Sequence, residues 1–139
     1  MSKFQMFFDG GAVPNPGECA GAFVIYDSDG NQVACGGKYI SYGTNNEGEY
    51  NGLLLGLETC LEMGISNVHI RGDSKLVVEQ VSNRWKVNKP NLQALHQRAV
   101  ELFCKVGNVE IVHVLRNENK VADQLSDQTI SKKYSWISF

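Results

Sequence analysis

Four acids in this chain stand where a fold could gather carboxylates: Asp9, Glu49, Asp73 and Asp123. Asp9 follows an apolar run of strand period, and Asp73 follows a second short run across one glycine, Gly72. Glu49 and Asp123 each fall one turn into a segment whose apolar residues repeat at helical spacing. Strand ends and the first turns of helices meet at one rim of an α/β sheet, where the positive ends of helix dipoles ease the crowding of negative charge. Carboxylates brought together still repel, and such a cluster is tolerated when cations neutralise it. Hard oxygen donors with no paired His or Cys select magnesium or manganese over zinc. Taken alone, Asp9 before Gly10 and Gly11 reads as a turn initiator. The three further acids, each able to return to the same rim, argue for a site.

The elements that must position these acids follow from periodicity. Phe4, Met6 and Phe8 alternate with Lys3, Gln5 and Phe7, which predicts a strand ending at Asp9. Gly10 and Gly11 are expected to turn the chain sharply there, into a Gly/Pro-rich connection over 10–20. Strands at 21–26 and 32–40 are joined by the hairpin turn Asp27-Ser28-Asp29-Gly30-Asn31, which lacks the ligand spacing of a calcium loop. A helix spans 46–63, with Gly52 and Gly56 on one face for close packing, and Gly64 stops it. A short strand at 68–71 leads into a helix ending near 82, and residues 83–90 form a loop containing Trp85. A helix at 92–106, a fifth strand at 110–115 and a last helix at 119–130 complete the order. The aromatic tail, 134–139, has no assignable role. Three strands in succession favour an antiparallel meander, and the later alternation favours parallel strands. The fold class is therefore α/β, one domain over 1–139 with a mixed five-stranded sheet flanked by helices.

Composition narrows the function classes. No apolar run is long enough to cross a membrane. The first strand begins within three residues of Met1, leaving no room for a signal peptide. Cys19, Cys35, Cys60 and Cys104 form no close pair and read as reduced thiols. A cytoplasmic protein, monomeric and without membrane contact, is expected. The net charge of −2 does not mark a nucleic-acid binder, but the distribution differs from the total. Residues 80–100 contain no acid, while Arg84, Lys86, Lys89 and Arg98 lie among them. That segment can present a basic surface, or its cations can simply solvate a helix face.

The motifs Asp9-Gly10-Gly11 with Asn15-Pro16-Gly17, Thr44-Asn45-Asn46-Glu47-Gly48-Glu49-Tyr50, Gly72-Asp73-Ser74, and Arg116-Asn117-Glu118-Asn119 with Ala122-Asp123 follow one another over almost the whole chain. In that order they closely resemble type 1 ribonuclease H. With only eight residues at 83–90 there is no long basic protrusion, so the resemblance is to the short archaeal and bacterial-like branch without a hybrid-binding domain. It implies a ribonuclease H-like fold and an endonuclease that cuts the RNA strand of RNA–DNA hybrids, leaving 5′-phosphate and 3′-hydroxyl ends. It also implies two Mg2+ ions, with Mn2+ as an alternative. Asp9 would bridge both ions, Asp123 would hold the ion that activates water, and Glu49 and Asp73 the ion at the leaving oxygen. Asn45 and Asn46 would meet the RNA strand and Thr44 a DNA phosphate. Trp85 would pack on deoxyribose, with phosphate contacts from Arg84, Lys86 and Lys89. The alternatives are that the asparagines only cap the helix and that Trp85 anchors its loop in the core.

This chain departs from the family pattern in three places. No histidine stands in the loop before Asp123, so any loop role falls to Arg116 or Glu118, and His69, His96 and His113 read as structural. Gly48 and Gly52 stand where the family commonly has alanine, and that exchange is expected to cost little. Glu47 is an extra acid, expected to be solvated because two helical residues apart face away from each other. Three rival readings share the fold, one of them a domain cut from a reverse transcriptase. The presence of all four acids argues against the alternative of a silent hybrid-binding module, and an actin-like ATPase needs more chain than 139 residues.

Overall fold

The computed structural model describes residues 2–139. The chain runs β1 (Phe4–Val13), β2 (Gly17–Tyr26), β3 (Gln32–Gly43), α1 (Asn45–Glu62), β4 (Asn67–Gly72), α2 (Lys75–Val81), α3 (Pro90–Val106), β5 (Asn108–His113), α4 (Lys120–Lys132) and β6 (Trp136–Ser138). A 3₁₀ turn at Arg116–Glu118 precedes α4. The sheet order is β5-β4-β1-β2-β3-β6. β1, β2, β3 and β6 are antiparallel neighbours, while β4 lies parallel to β1 and β5 parallel to β4. The expected mixed sheet is therefore present, with six strands rather than five.

The sixth strand comes from the unassigned tail. Three residues are too few to show a period, and β6 exists because β3 offers it an edge. Cys35, Gly36 and Gly37 pair with Ser138, Ile137 and Trp136. Trp136 Nε1 donates to Thr129 Oγ1 at 3.0 Å, and the Tyr39 N–H donates to Ser135 Oγ at 2.9 Å. Deleting 134–139 removes these bonds and the half-buried indole, and is expected to cost about 2 kcal/mol of stability. A denaturant titration of the truncated chain measures it.

β1 does not end at Asp9. It continues four residues to Val13, paired with β2 as far as Glu18. Gly10, which reads with Gly11 as a turn, is there for a different reason, the approach of α1. A Cβ on Gly10 would lie 2.2 Å from the Gly48 carbonyl carbon, and one on Gly21 would lie 2.1 Å from the Gly52 nitrogen. From the helix side, a Cβ on Gly48 would lie 2.6 Å from the Ala20 carbonyl oxygen, and one on Gly52 2.5 Å from that of Asp9. Main chain thus packs on main chain, and the expectation that alanine at Gly48 or Gly52 costs little is overturned. Flanking this contact, Met6, Phe8, Phe23 and Ile25 meet Leu53, Leu57, Leu92 and Leu102 in the core under α1 and α3. α4 lies on the other face of the sheet, where Thr129 sits against Gly37.

Candidate active site

β4 ends at Gly72, opposite Phe8. Among the described residues no strand lies beside Asp9 on that side, so the sheet is open there while β1 continues along β2. Through that opening acids from both faces of the sheet reach Asp9. Glu49 comes from α1 and Asp123 from α4, and Asp73 follows the end of β4 directly. All four line one cleft of about 380 Å³.

Within the cleft, Asp9, Glu49 and Asp73 each offer a carboxylate oxygen, and these oxygens lie within 4.8 Å of one another. Asp123 lines the same cleft and is near enough to Asp9 to raise its carboxyl. Burial, the Asp123 carboxyl and the Asp73 charge together push Asp9 from 3.8 up to about 8. Glu49 is held well above the ordinary carboxylate range by burial first, then by the charges of Asp9 and Asp73. Glu49 Oε2 is buried and has no hydrogen-bond partner among the described residues. A buried carboxylate oxygen without a donor is costly. A divalent cation would relieve it, and an all-oxygen donor set of this kind suits magnesium or manganese.

α4 starts where it does because Asn119 is tied to β1. Its Nδ2 donates to the Phe8 carbonyl at 2.8 Å, next to Asp9, and its own carbonyl accepts the Asp123 N–H at 3.1 Å. Asn119 is 1% exposed. The sequence displays it within a motif but does not show this role, since its partner lies 111 residues away. Asp127 was also missed. It lines the cleft one helical turn after Asp123, a spacing the sequence does display. Burial and the Asp123 charge raise its carboxyl, while Arg116 pulls it back.

α1 begins with a capping box. Thr44 Oγ1 accepts the Glu47 N–H at 3.2 Å, and Glu47 Oε1 accepts the Thr44 N–H at 3.0 Å. Glu47 is therefore a capping residue and not a freely solvated one, and the cap is Thr44 rather than an asparagine. Asn45 Oδ1 accepts the Ala12 N–H at 2.8 Å, which fixes the amide orientation. Of the other expected substrate residues, Thr44, Asn45, Asn46 and Lys89 line a second cleft of about 300 Å³, with Asn15 opposite them. Asn45 is shared between this cleft and the acidic one. Arg84, Trp85 and Lys86 line a third, with His96 and Gln93 on its wall. Trp85 is 45% exposed and is not a core anchor. Arg84 forks onto Glu79, at 2.7 and 3.0 Å, so its guanidinium braces the loop. Of the two loop candidates, Arg116 lines the acidic cleft, whereas Glu118 accepts the Leu115 N–H at 3.0 Å and closes the 3₁₀ turn.

The sequence and the fold both match known proteins. Residues 7–129 match the family described as reverse transcriptase-like. The chain is 38% identical over 128 residues to ribonuclease HI of Halobacterium salinarum, across 92% of this chain and 64% of that protein. A bifunctional protein of Mycobacterium tuberculosis is 37% identical over 123 residues, across 88% of this chain and 34% of its own length. The chain thus spans less than two thirds of the curated relatives it matches. The crystal structure of RNase H1 from Halobacterium salinarum superposes with a TM-score of 0.90 at 36% identity, over 94% of this chain and 98% of that one. LC11-RNase H1, crystallised in complex with an RNA/DNA hybrid, gives a TM-score of 0.88 at 32% identity, over 94% and 98%. A family match over residues 7–129, an identity of 36–38% to ribonucleases H and a fold that superposes over 94% of its length establish that this chain belongs to the type 1 ribonuclease H family.

Proposed function

We propose that this chain hydrolyses the RNA strand of RNA–DNA hybrids, leaving 5′-phosphate and 3′-hydroxyl ends, with two Mg2+ ions as cofactors and Mn2+ as an alternative. The reading rests above all on the gathering of four carboxylates around a buried Glu49 oxygen that has no hydrogen-bond partner among the described residues. Asp9, Glu49, Asp73 and Asp123 would hold the ions. When bound, divalent cations supply a more acidic water and offset the charge that builds on the phosphate under attack.

The other residues bind and orient. Because Asn45 Oδ1 is taken by the Ala12 N–H, its Nδ2 donors are left for a ligand. Donors of that kind suit the 2′-hydroxyls and base-edge acceptors exposed in a shallow minor groove. Thr44, Asn46 and Lys89 stand next along the same surface and can follow the backbone of the paired strand. Trp85 offers a flat, half-exposed ring where a sugar lacking a 2′-hydroxyl would fit. Arg116, on the rim of the acidic cleft, is placed to meet a phosphate.

The test is cleavage of an end-labelled RNA–DNA hybrid in Mg2+, beside double-stranded RNA and double-stranded DNA. Cutting confined to the RNA strand of the hybrid supports the reading. Hybrid binding without cutting in either Mg2+ or Mn2+ would make the chain a silent binding module. In the same assay Trp85→Ala is expected to weaken hybrid binding about tenfold, the loss of one ring contact, with a smaller effect on turnover at saturation.

A further inference from the structure

We infer that Gln80, a residue outside all three clefts, is a positioning residue that sets the Trp85 loop against the catalytic helix and so tunes hybrid recognition. The inference rests on the reading of Trp85 as a substrate contact.

Gln80 lies at the end of α2 and is 5% exposed. Its polar atoms hold three other parts of the molecule. Oε1 accepts the Tyr50 hydroxyl at 2.7 Å, Nε2 donates to the Lys86 carbonyl at 3.2 Å, and its main-chain carbonyl accepts from His96 Nε2 at 3.0 Å. Tyr50 is wholly buried on α1 and is the residue next to Glu49. Lys86 is the residue next to Trp85, and His96 belongs to α3. A two-bond relay, Tyr50 to Gln80 to Lys86, therefore connects the backbone beside a cluster acid to the backbone beside the exposed indole.

The amide is suited to this relay. It accepts on one side and donates on the other, so both its neighbours are satisfied at once. An acid would meet the Lys86 carbonyl with an acceptor, and an aliphatic side chain would leave the buried Tyr50 hydroxyl and the carbonyl unpaired. The loop has further attachments. Glu79 accepts the Arg84 and Trp85 N–H groups on its carbonyl and the Arg84 guanidinium on its carboxylate, and Gln93 Nε2 donates to the Val87 carbonyl. These bind the loop to α2 and α3. The bond through Gln80 is what refers it to α1. Loss of that bond should leave the loop folded but displaced relative to the acids.

The test is a double-mutant cycle with hybrid cleavage as readout. Gln80→Met is expected to raise KM for the hybrid about tenfold with kcat little changed, and to lower the preference for hybrid over double-stranded RNA. In a Trp85→Ala background the same change should add almost nothing, since it acts through the ring already removed. Tyr50→Phe, which deletes one hydroxyl, should raise KM about threefold and serves if Gln80→Met folds poorly. Independent, additive effects of Gln80→Met and Trp85→Ala, or a fall in kcat at unchanged KM, would overturn the inference. An unchanged KM in Trp85→Ala alone would instead remove Trp85 from the substrate surface, a separate failure of the reading beneath it.

Discussion

Replacing Asp9 with Asn is expected to lower hybrid cleavage about a thousandfold or more while making the metal-free protein more stable. The loss of rate follows from the position of Asp9 within the cluster, in one cleft with Asp123 and with a carboxylate oxygen within 4.8 Å of those of Glu49 and Asp73. Charge stabilisation by a held cation is worth several kcal/mol, and about 1.4 kcal/mol corresponds to each factor of ten. The gain in stability comes from the same crowding. In the folded protein burial and its acidic neighbours push Asp9 up to about 8, against 3.8 for an ordinary aspartate. Between those values folding is coupled to proton uptake. Its contribution is thus fully present below about pH 4 and is lost as pH rises towards 8. Glu49, raised in the same direction, adds to the trend. Without metal, the melting temperature of the native protein should therefore fall from pH 5 to pH 8. The change is on the order of 3 kcal/mol once proton sharing among the acids is allowed for. Asp9→Asn, which resembles the protonated acid, should flatten that slope. Mg2+ should stabilise the native protein more at pH 8 than at pH 5. Thermal melts with and without chelator measure both, and a native curve that rises through this window would refute the account.

Gly21→Ala should be nearly as damaging to activity without touching the cleft. One methyl group on β2 would lie 2.1 Å from the Gly52 nitrogen and 2.3 Å from the Gly48 carbonyl oxygen, both in the main chain of α1. No side-chain rotation relieves such a contact, so the helix must move away from the sheet. The cost is expected at the upper end of overpacking, about 3 kcal/mol. Glu49 follows Gly48 directly, so the displacement also carries a cluster acid away from Asp9. A folded Gly21→Ala protein is expected to need more Mg2+ for half-maximal rate and to cut about a hundredfold more slowly, as when the support of a metal ligand is removed. Full activity together with an unchanged denaturation midpoint would show that the helix tolerates the methyl group.

The four acids could be read in advance because each sits beside a signal that sequence carries strongly, either a strand of period two or the first turn of a helix. The sheet's mixed topology was legible for the same reason. What was not legible depended on partners far away in the chain. Gly10 and Gly11 carry the same letters whether a strand turns or a helix approaches, and the structure has the strand running on. β6 is a strand only because β3 has an edge to give it. Arg84 looked like a phosphate contact because it lies in an acid-free segment. In the structure its guanidinium meets Glu79, where Asn83 turns through φ 62° and brings the loop back over the helix end. Glu47 was judged by its angle to Glu49, whereas its role is set by Thr44 three residues earlier.

The tail strand also covers a sheet edge that would otherwise be open. Without β6 the main-chain groups of Cys35, Gly36 and Gly37 would face solvent along an extended strand, offering a template to any other exposed edge. Further along β3 the exposed Lys38 supplies a charge that discourages such pairing. Cover of the apolar stretch by the chain's own last residues therefore acts as a device for solubility. A chain shortened at Ser135 would be expected to associate increasingly as its concentration rises, even at temperatures where each copy remains folded.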